Sequence, residues 1–366
     1  MQTPTMPATG NYHPLIKSVA HALRRRCGVA EGAHILVAVS GGADSVGLLR
    51  AIDALKDRRR WRLTVTVGHV QHHLRGQEAE GDARFVEELA RQLKLPRHRR
   101  DLDLSGEAGN MEAVARRLRY RALVEMAREC GAHFIATGHH GDDQLETLLM
   151  RMLRGAGTRG MSGIVWRRWV GTGNRDQGSG GGFEPSASSR PPIPDPRSLT
   201  LIRPMLAVSR SEIIDYLNVL NQPWREDHTN ADLSRWRARL RAEVLPVLER
   251  IRPGAGRRAT QFADHLRGVH RVLDEAVASA RAAVEREGDT FMLKRETGKR
   301  LERVVLSGLL RGLLEETGVP EDKLGAKALG RVVRAVRDKE GGERVFEFAR
   351  GVRVVVTRET LRVARG

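Results

Sequence analysis

The sequence predicts an α/β chain. A doubly wound, mostly parallel sheet spans residues 31–250, and a helical linker region leads into a small α+β C-terminal domain over 251–366. Three observations predict this. Short β-branched apolar runs alternate with helix-period segments through the first 170 residues. A glycine-rich turn follows the first such run directly. Beyond residue 250, long amphipathic helices give way to a tail of alternating residues.

In chain order, residues 1–30 read as an N-terminal lead and a first helix. MQTPTMPATGNYHPLIK has no basic stretch ahead of an apolar core, so it reads as a disordered lead and not a signal peptide. HILVAV (34–39), LTVTVGHV (63–70) and HFIATG (133–138) are strand-like, and RHRRDLDL (97–104) is a weaker candidate. Between them, Ala79, Phe85, Leu89 and Leu93 set a helix over 77–93. Met111, Val114, Leu118, Ala122 and Met126 set another over 110–130. This alternation predicts right-handed crossovers and ligand binding at the carboxyl ends of the strands, where Ser40-Gly41-Gly42 and His139 fall.

Residues 171–198 are dense in Gly, Ser and Pro and read as a flexible insertion. Order returns at Leu201–Met205, and Ser209 with Glu212 forms a capping box for the helix SEIIDYLNVL. Phe262, Leu266, Val269, Leu273, Ala276 and Ala280 predict a helix from about 257 to 286. Leu301, Val304, Val305, Leu309, Leu313 and Leu314 predict another. RVFEF and RGVRVVVTRETLRV predict an antiparallel unit with turns near Gly341-Gly342, Gly351 and Glu359.

Hydrophobic residues make up 40% of the 366-residue chain and charged residues 30%, enough for a packed core and unlike a membrane protein. Two cysteines, Cys27 and Cys130, exclude a disulfide framework and a four-cysteine zinc site, and fit a reducing cytoplasm. The formal charge of +18 favours a polyanionic partner, nucleic acid first. The competing explanation is an arginine-rich proteome.

SGGADS (40–45) lies between an apolar strand and a helix. It offers backbone N–H groups, two hydroxyls and a carboxylate, but no Walker lysine for γ-phosphoryl chemistry. That set suits a held pyrophosphate and attack on the α-phosphate of ATP, releasing AMP. Asp44 stands near a metal-bridged polyphosphate. The competing reading, a tight turn that binds nothing, suits Gly-Gly alone but not SGGxDS after a strand. His139, Asp143 and Glu146 follow at i, i+4 and i+7, so the start of one helix displays all three on one face. Two carboxylates beside imidazole would be costly on an apolar face without partners.

These residues resemble the PP-loop, or N-type, ATP pyrophosphatases. HVQHHLRG (69–76), GNMEAVARRLRY (109–120), GHHGDDQLETLLMRMLRGAGTRGMSGI (138–164), IRPML (202–206) and the arginine-rich segment ending EVLPVL (243–248) follow in order. Together they resemble the tRNA(Ile)-lysidine synthetases over about 34–250. The tail from about 290 is similar to that family's first tRNA-binding C-terminal domain. The resemblance implies a PP-loop fold and a ligase reaction in two steps. ATP adenylates the wobble cytidine of an isoleucine tRNA with a CAU anticodon, and L-lysine then displaces AMP to give lysidine.

By the same resemblance, Ser40, Gly41, Gly42, Asp44 and Ser45 hold the triphosphate, with Asp44 on Mg²⁺. His139, Asp143 and Glu146 form the ATP and lysine site, and Arg116 pairs with the lysine carboxylate or with phosphate. Arg235, Arg237, Arg239 and Arg241, with Trp236 among them, are placed on tRNA. Against these stand blander readings: a solvated helix start for the acids, a solvated face for Arg116, and arginine stems covering the core. The chain departs from the family pattern at Gln71 and His73, where many members carry an acid and a glycine, and at Ala238, where asparagine is common. Two rivals remain, a tRNA thiolase of the same superfamily and a non-catalytic RNA-binding protein. The lack of a C-x-x-C pair weighs against the first. The loop and the His/Asp/Glu cluster weigh against the second.

Overall fold

The computed structural model describes residues 13–72, 77–102, 111–158, 160–170, 199–226, 236–338 and 342–366. The chain divides into two compact units, with the boundary between Asp264 and His265.

In the first unit the strands are β1 (His34–Ala38), β2 (Thr64–His72), β3 (Arg97–Leu102), β4 (Phe134–Ala136), β5 (Arg167–Val170) and β6 (Leu199–Ile202). They form a sheet in the order β3-β2-β1-β4-β6-β5. All neighbours pair in parallel except β5 with β6. The fold class read from the sequence is the one observed, and the weaker strand candidate at 97–104 is β3. The edge strand β5 carried no sequence signal strong enough to predict it.

The helices are α1 (Pro14–Arg25), α2 (Ala43–Lys56), α3 (Gln77–Gln92), α4 (Met111–Glu129), α5 (Gly141–Leu153), α6 (Arg210–Val219), α7 (Trp236–Arg239), α8 (Leu245–Ile251) and α9 (Ala255–Arg281). Alternation along the strands decides which helix meets which face. Ile35, Val37, Val65 and Val67 join a core with Leu15, Ile52, Leu89 and Ile213 from α1, α2, α3 and α6. Leu36, Ile135 and Leu201 face the other way, onto Leu123 and Met126 of α4. The capping box at α6 forms as the sequence indicates. Glu212 N–H donates to Ser209 Oγ at 3.2 Å, and Ser209 N–H donates to Glu212 Oε2 at 2.8 Å. The expected insertion at 171–198 lies outside the described residues.

Two glycines set how α5 and α9 meet. A Cβ on Gly256 would lie 2.6 Å from the carbonyl carbon of Gly141 and 2.6 Å from Asp142 Oδ1. Backbone cannot yield as a flexible side chain can. Gly256→Ala is therefore expected to cost about 1–3 kcal/mol by overpacking, more than alanine's helix preference returns. A lowered melting temperature checks this, and an unchanged or raised one would show that the helices part freely.

The second unit holds an antiparallel sheet in the order β7-β8-β11-β10-β9. Its strands are β7 (Glu285–Glu287), β8 (Thr290–Lys294), β9 (Arg344–Glu347), β10 (Val352–Val356) and β11 (Thr360–Arg365). It packs against α10 (Arg295–Arg300), α11 (Arg303–Glu316) and α12 (Ala326–Arg337). The helix expected to reach 286 ends at Arg281. Glu287 pairs with Thr290 across Gly288-Asp289, and Gly288 takes φ +58° there, so a hairpin replaces the last helical turn. Arg295 is 3% exposed. Its guanidinium donates to the carbonyls of Val336 (3.0 Å), Thr357 (3.1 Å), Ala335 (2.9 Å) and Asp338 (2.8 Å), tying the end of α12 to the sheet. Among the described residues, no helix is long and apolar enough to cross a membrane.

Candidate active site

The glycine-rich loop leaves the carboxyl end of β1 as the sequence indicates. Gly41 takes φ +98°, a conformation open to glycine but strained for other residues, which lets the chain double back into α2. Gly42 is the N-cap of α2 and no side chain caps that end, so the first N–H groups of the helix stay open to an anion. Ser45 fixes the loop from inside. It accepts from Ser40 N–H at 3.1 Å, lies 3.2 Å from Ser40 Oγ, and donates to Gly42 O at 2.9 Å. Gly138, just past β4, lets that strand's end close on the loop, since a Cβ there would lie 3.0 Å from the Asp44 carbonyl.

Asp44 turns Oδ2 to Arg210 Nη1 at 2.9 Å, while Oδ1 is buried and has no hydrogen-bond partner among the described residues. A free, hard carboxylate oxygen beside open helix N–H groups fits a divalent cation bridging a polyphosphate. Among the described residues no group of three or more His, Cys, Asp or Glu side chains is arranged to hold a metal ion by itself. A cation held here would therefore take its remaining ligands from the nucleotide and water, as Mg²⁺ does.

The histidine in contact with the carboxylates is His140, and this corrects the sequence reading. The i, i+4, i+7 spacing assumed that the helix includes His139. The helix instead begins at Gly141, and His140, with φ −128° and ψ −177°, is its N-cap. Helical spacing does not carry across a cap. His140 Nε2 lies 3.6 Å from Asp44 Oδ2 and 3.5 Å from Asp143 Oδ2, and its backbone N–H donates to Asp143 Oδ2 at 3.0 Å. Burial disfavours the charged ring, but the carboxylates of Asp143, Asp44 and Asp142 outweigh it and push the pKa up to about 9. In the neutral form Nδ1 accepts from Asp142 N–H at 3.3 Å. In the charged form it faces Asp142 Oδ2 at 4.0 Å. Asp143 is held below the usual carboxylate range: burial opposes this, and His140, His139, a backbone N–H and Arg241 overcome it.

His139 is half-buried, with Nδ1 3.0 Å from Thr137 Oγ1. Desolvation, then the charge of Arg203, pushes its pKa down to about 3, so it stays neutral. Arg116 adds to that field from α4, where its guanidinium lies 5.4 Å from the Tyr120 ring centroid.

Glu146 is fully buried, and both its oxygens are engaged. Arg237 Nε bonds Oε1, and Arg241 Nη2 bonds Oε2 at 3.0 Å and also reaches Asp143 Oδ1 at 3.2 Å. Arg239 turns away to Glu243 at 3.3 Å, and Arg235 lies outside the described residues. The segment carrying these arginines includes a π-helical turn, Leu240–Val244, a rare geometry that recurs at functional sites. Sequence reasoning passed over His140 and Arg210. His140, three residues before Asp143, matched the spacing of a capping box but not its usual Ser or Thr. Nothing local marked Arg210 as a partner for Asp44.

A PP-loop domain family, ATP_bind_3, matches residues 12–248. Relatives named tRNA(Ile)-lysidine synthase include those of Geobacter sulfurreducens, 36% identical over 68% of this chain and 47% of that protein, and Deinococcus deserti, 40% identical over 61% and 35%. The protein of that name from Dehalococcoides mccartyi is 30% identical over 90% of this chain and 66% of its own length. The chain spans about half the length of most of the curated relatives it matches. The U34-tRNA thiolase NcsA from Methanococcus maripaludis shares the fold, with a TM-score of 0.50 and 15% identity over 69% of this chain and 77% of that one. A loop built for phosphate, a carboxylate cluster at the same strand ends and a family match across most of the first unit agree: the chain belongs to the PP-loop domain family.

Proposed function

We propose that the protein is an ATP-dependent ligase that joins L-lysine to C2 of the wobble cytidine of isoleucine tRNA with a CAU anticodon, acting in the cytoplasm. The observation that carries the proposal is the juxtaposition of two sites, an open phosphate loop whose Asp44 lies with Asp143 against one imidazole, and a buried Glu146 that Arg241 links to Asp143. The names of the curated relatives supply the substrate class.

The chemistry follows from the parts. The open N–H groups of α2 hold the triphosphate, and Asp44 Oδ1 is the ligand this chain offers to Mg²⁺, which would neutralise the departing pyrophosphate. The cytidine O2 attacks the α-phosphate, converting a poor leaving group into AMP. The ε-amine of lysine then forms the new C–N bond at C2 as the C–O bond to AMP breaks. Asp143 pairs with the incoming ammonium group and takes up the proton it must shed, and Glu146 joins it by exchanging one of its guanidinium partners for the ammonium. Positioning and charge stabilisation supply most of the rate. The test is mass spectrometry of nucleosides from tRNA incubated with the protein, ATP and isotope-labelled lysine. Labelled lysidine is expected, and its absence alongside a thiolated base would favour the thiolase reading.

Affinity for tRNA is placed in the arginine-rich segment and the second unit, which meet phosphates without reading bases. Ending the chain after Asp264 is expected to weaken tRNA binding and flatten its salt dependence, while ATP binding persists. Affinities measured across a salt series decide this. Equal slopes for the full and shortened chains would move the grip elsewhere.

A further inference from the structure

After α6 the chain runs back to the phosphate loop. Trp224 packs against the core of the first unit, and the next backbone N–H, that of Arg225, donates to Gly41 O at 3.0 Å. The C=O and N–H of a trans peptide point opposite ways, so a Gly41 carbonyl held by Arg225 turns the Gly42 N–H to the other side of the loop. The side chain runs on from there. A Cβ on Gly41 would lie 3.5 Å from Arg225 Cγ, and a Cβ on Gly81 would lie 3.0 Å from Arg225 Nη2. The arginine therefore reaches from the loop to α3, and two glycines leave it room.

The guanidinium is held at its inner nitrogen. Nε donates to Asp82 Oδ1 at 2.9 Å. Among the described residues, Nη1 and Nη2 have no hydrogen-bond partner, and the side chain is 46% exposed. An arginine that serves only as a tie to a carboxylate often gives it two parallel N–H bonds. Here one bond fixes the plane and the outer fork stays open. That fork matches two oxygens of a phosphate. The loop itself offers glycines, hydroxyls and a carboxylate but no lysine, and Arg210 is already paired with Asp44. Asp82 adds a further negative charge on the α3 side, which an incoming phosphate would meet unscreened without Arg225.

We propose that Arg225 holds the β or γ phosphate of the nucleotide with Nη1 and Nη2, and so supplies in space the cation that the loop lacks in sequence. This rests on the loop being an ATP site. Asp82 aims the guanidinium and is not a ligand of the anion. When the bond from the α-phosphorus to the bridging oxygen breaks, its electron pair passes to the departing pyrophosphate, and the guanidinium neutralises part of the charge that gathers there. The α-phosphate stays with the base and loses nothing from Arg225. The contact therefore favours ATP and pyrophosphate over AMP.

The test is equilibrium binding of ATP, pyrophosphate and AMP to the full chain without tRNA, for the wild type, Arg225→Met, Arg225→Lys and Asp82→Asn. Arg225→Met is expected to weaken ATP and pyrophosphate at least ~10-fold, the scale of a lost charged hydrogen bond, and to leave AMP within about 2-fold. Arg225→Lys should recover part of the loss, because it restores the charge without the fork. Asp82→Asn should bind ATP as tightly as the wild type or more tightly, because it keeps an oxygen for Nε and removes a repelling charge. Unchanged ATP and pyrophosphate affinity in Arg225→Met overturns the assignment while leaving the ATP site standing. Equal losses in Arg225→Met and Asp82→Asn, or a loss shared by AMP, would make the pair a structural tie and overturn it as well. A wild type that binds none of the three ligands overturns the ATP reading and this assignment together.

Discussion

Asp44→Asn is expected to cut AMP formation by at least ~100-fold, the usual scale for losing an electrostatic group that acts on developing charge. The reason is local. Asparagine keeps the shape of Asp44 and an oxygen that can accept from Arg210, now 2.9 Å away, but it removes the charge behind the buried, unpartnered Oδ1. The melting temperature should change little, because Asp44 and Arg210 are both partly exposed and such pairs contribute little to stability, and the buried His140 ring keeps Asp143. Pyrophosphate release measured with ATP, tRNA and lysine gives the answer. Near-normal turnover would mean that Asp44 is only part of the turn.

Glu146→Gln is expected to reduce lysine use, read as kcat/KM for lysine, by about 100-fold, with tRNA affinity nearly unchanged. Unlike Asp44, Glu146 is fully buried between two guanidinium groups, so its neutral replacement leaves Arg237 without a carboxylate. Removing one partner of a buried pair can cost about 3–5 kcal/mol. The cost here should be smaller, because Arg237 and Arg241 are nearly half exposed and Arg241 keeps Asp143. Asp143→Asn should act the same way on lysine. Lost tRNA binding with intact lysine kinetics would show that this cluster serves the nucleic acid instead.

The sheet and its switch point were legible because each depends on near neighbours in sequence. Three apolar runs, the helices between them and a Gly-Gly turn each carry their own signal, and parallel topology then follows from handedness. The chemistry was half legible. Asp143 and Glu146 belong to one helix, so spacing linked them. The ring placed against the carboxylates is that of His140 and not His139, because a cap breaks the helical period and a one-residue error at a helix start exchanges which ring faces them. The contacts of Arg210 with Asp44 and of Arg241 with Glu146 span 166 and 95 residues, and no periodicity encodes pairings at that range.

Arg295 changes what the chain's formal charge of +18 means for binding. A guanidinium enclosed by four carbonyl oxygens is already sheathed when the domain is folded. Whatever anions accompanied it in the unfolded chain were shed on folding, so none remain there for a tRNA phosphate to displace. Arg203, 6% exposed, is in the same position, and Arg237 and Arg241 are already matched to carboxylates. The salt slope of tRNA binding should therefore fall well short of the value that all the excess cations would give at about 0.9 per neutralised phosphate. The electrostatic valence of this surface is set by which arginine heads the fold leaves open, and composition alone overstates it.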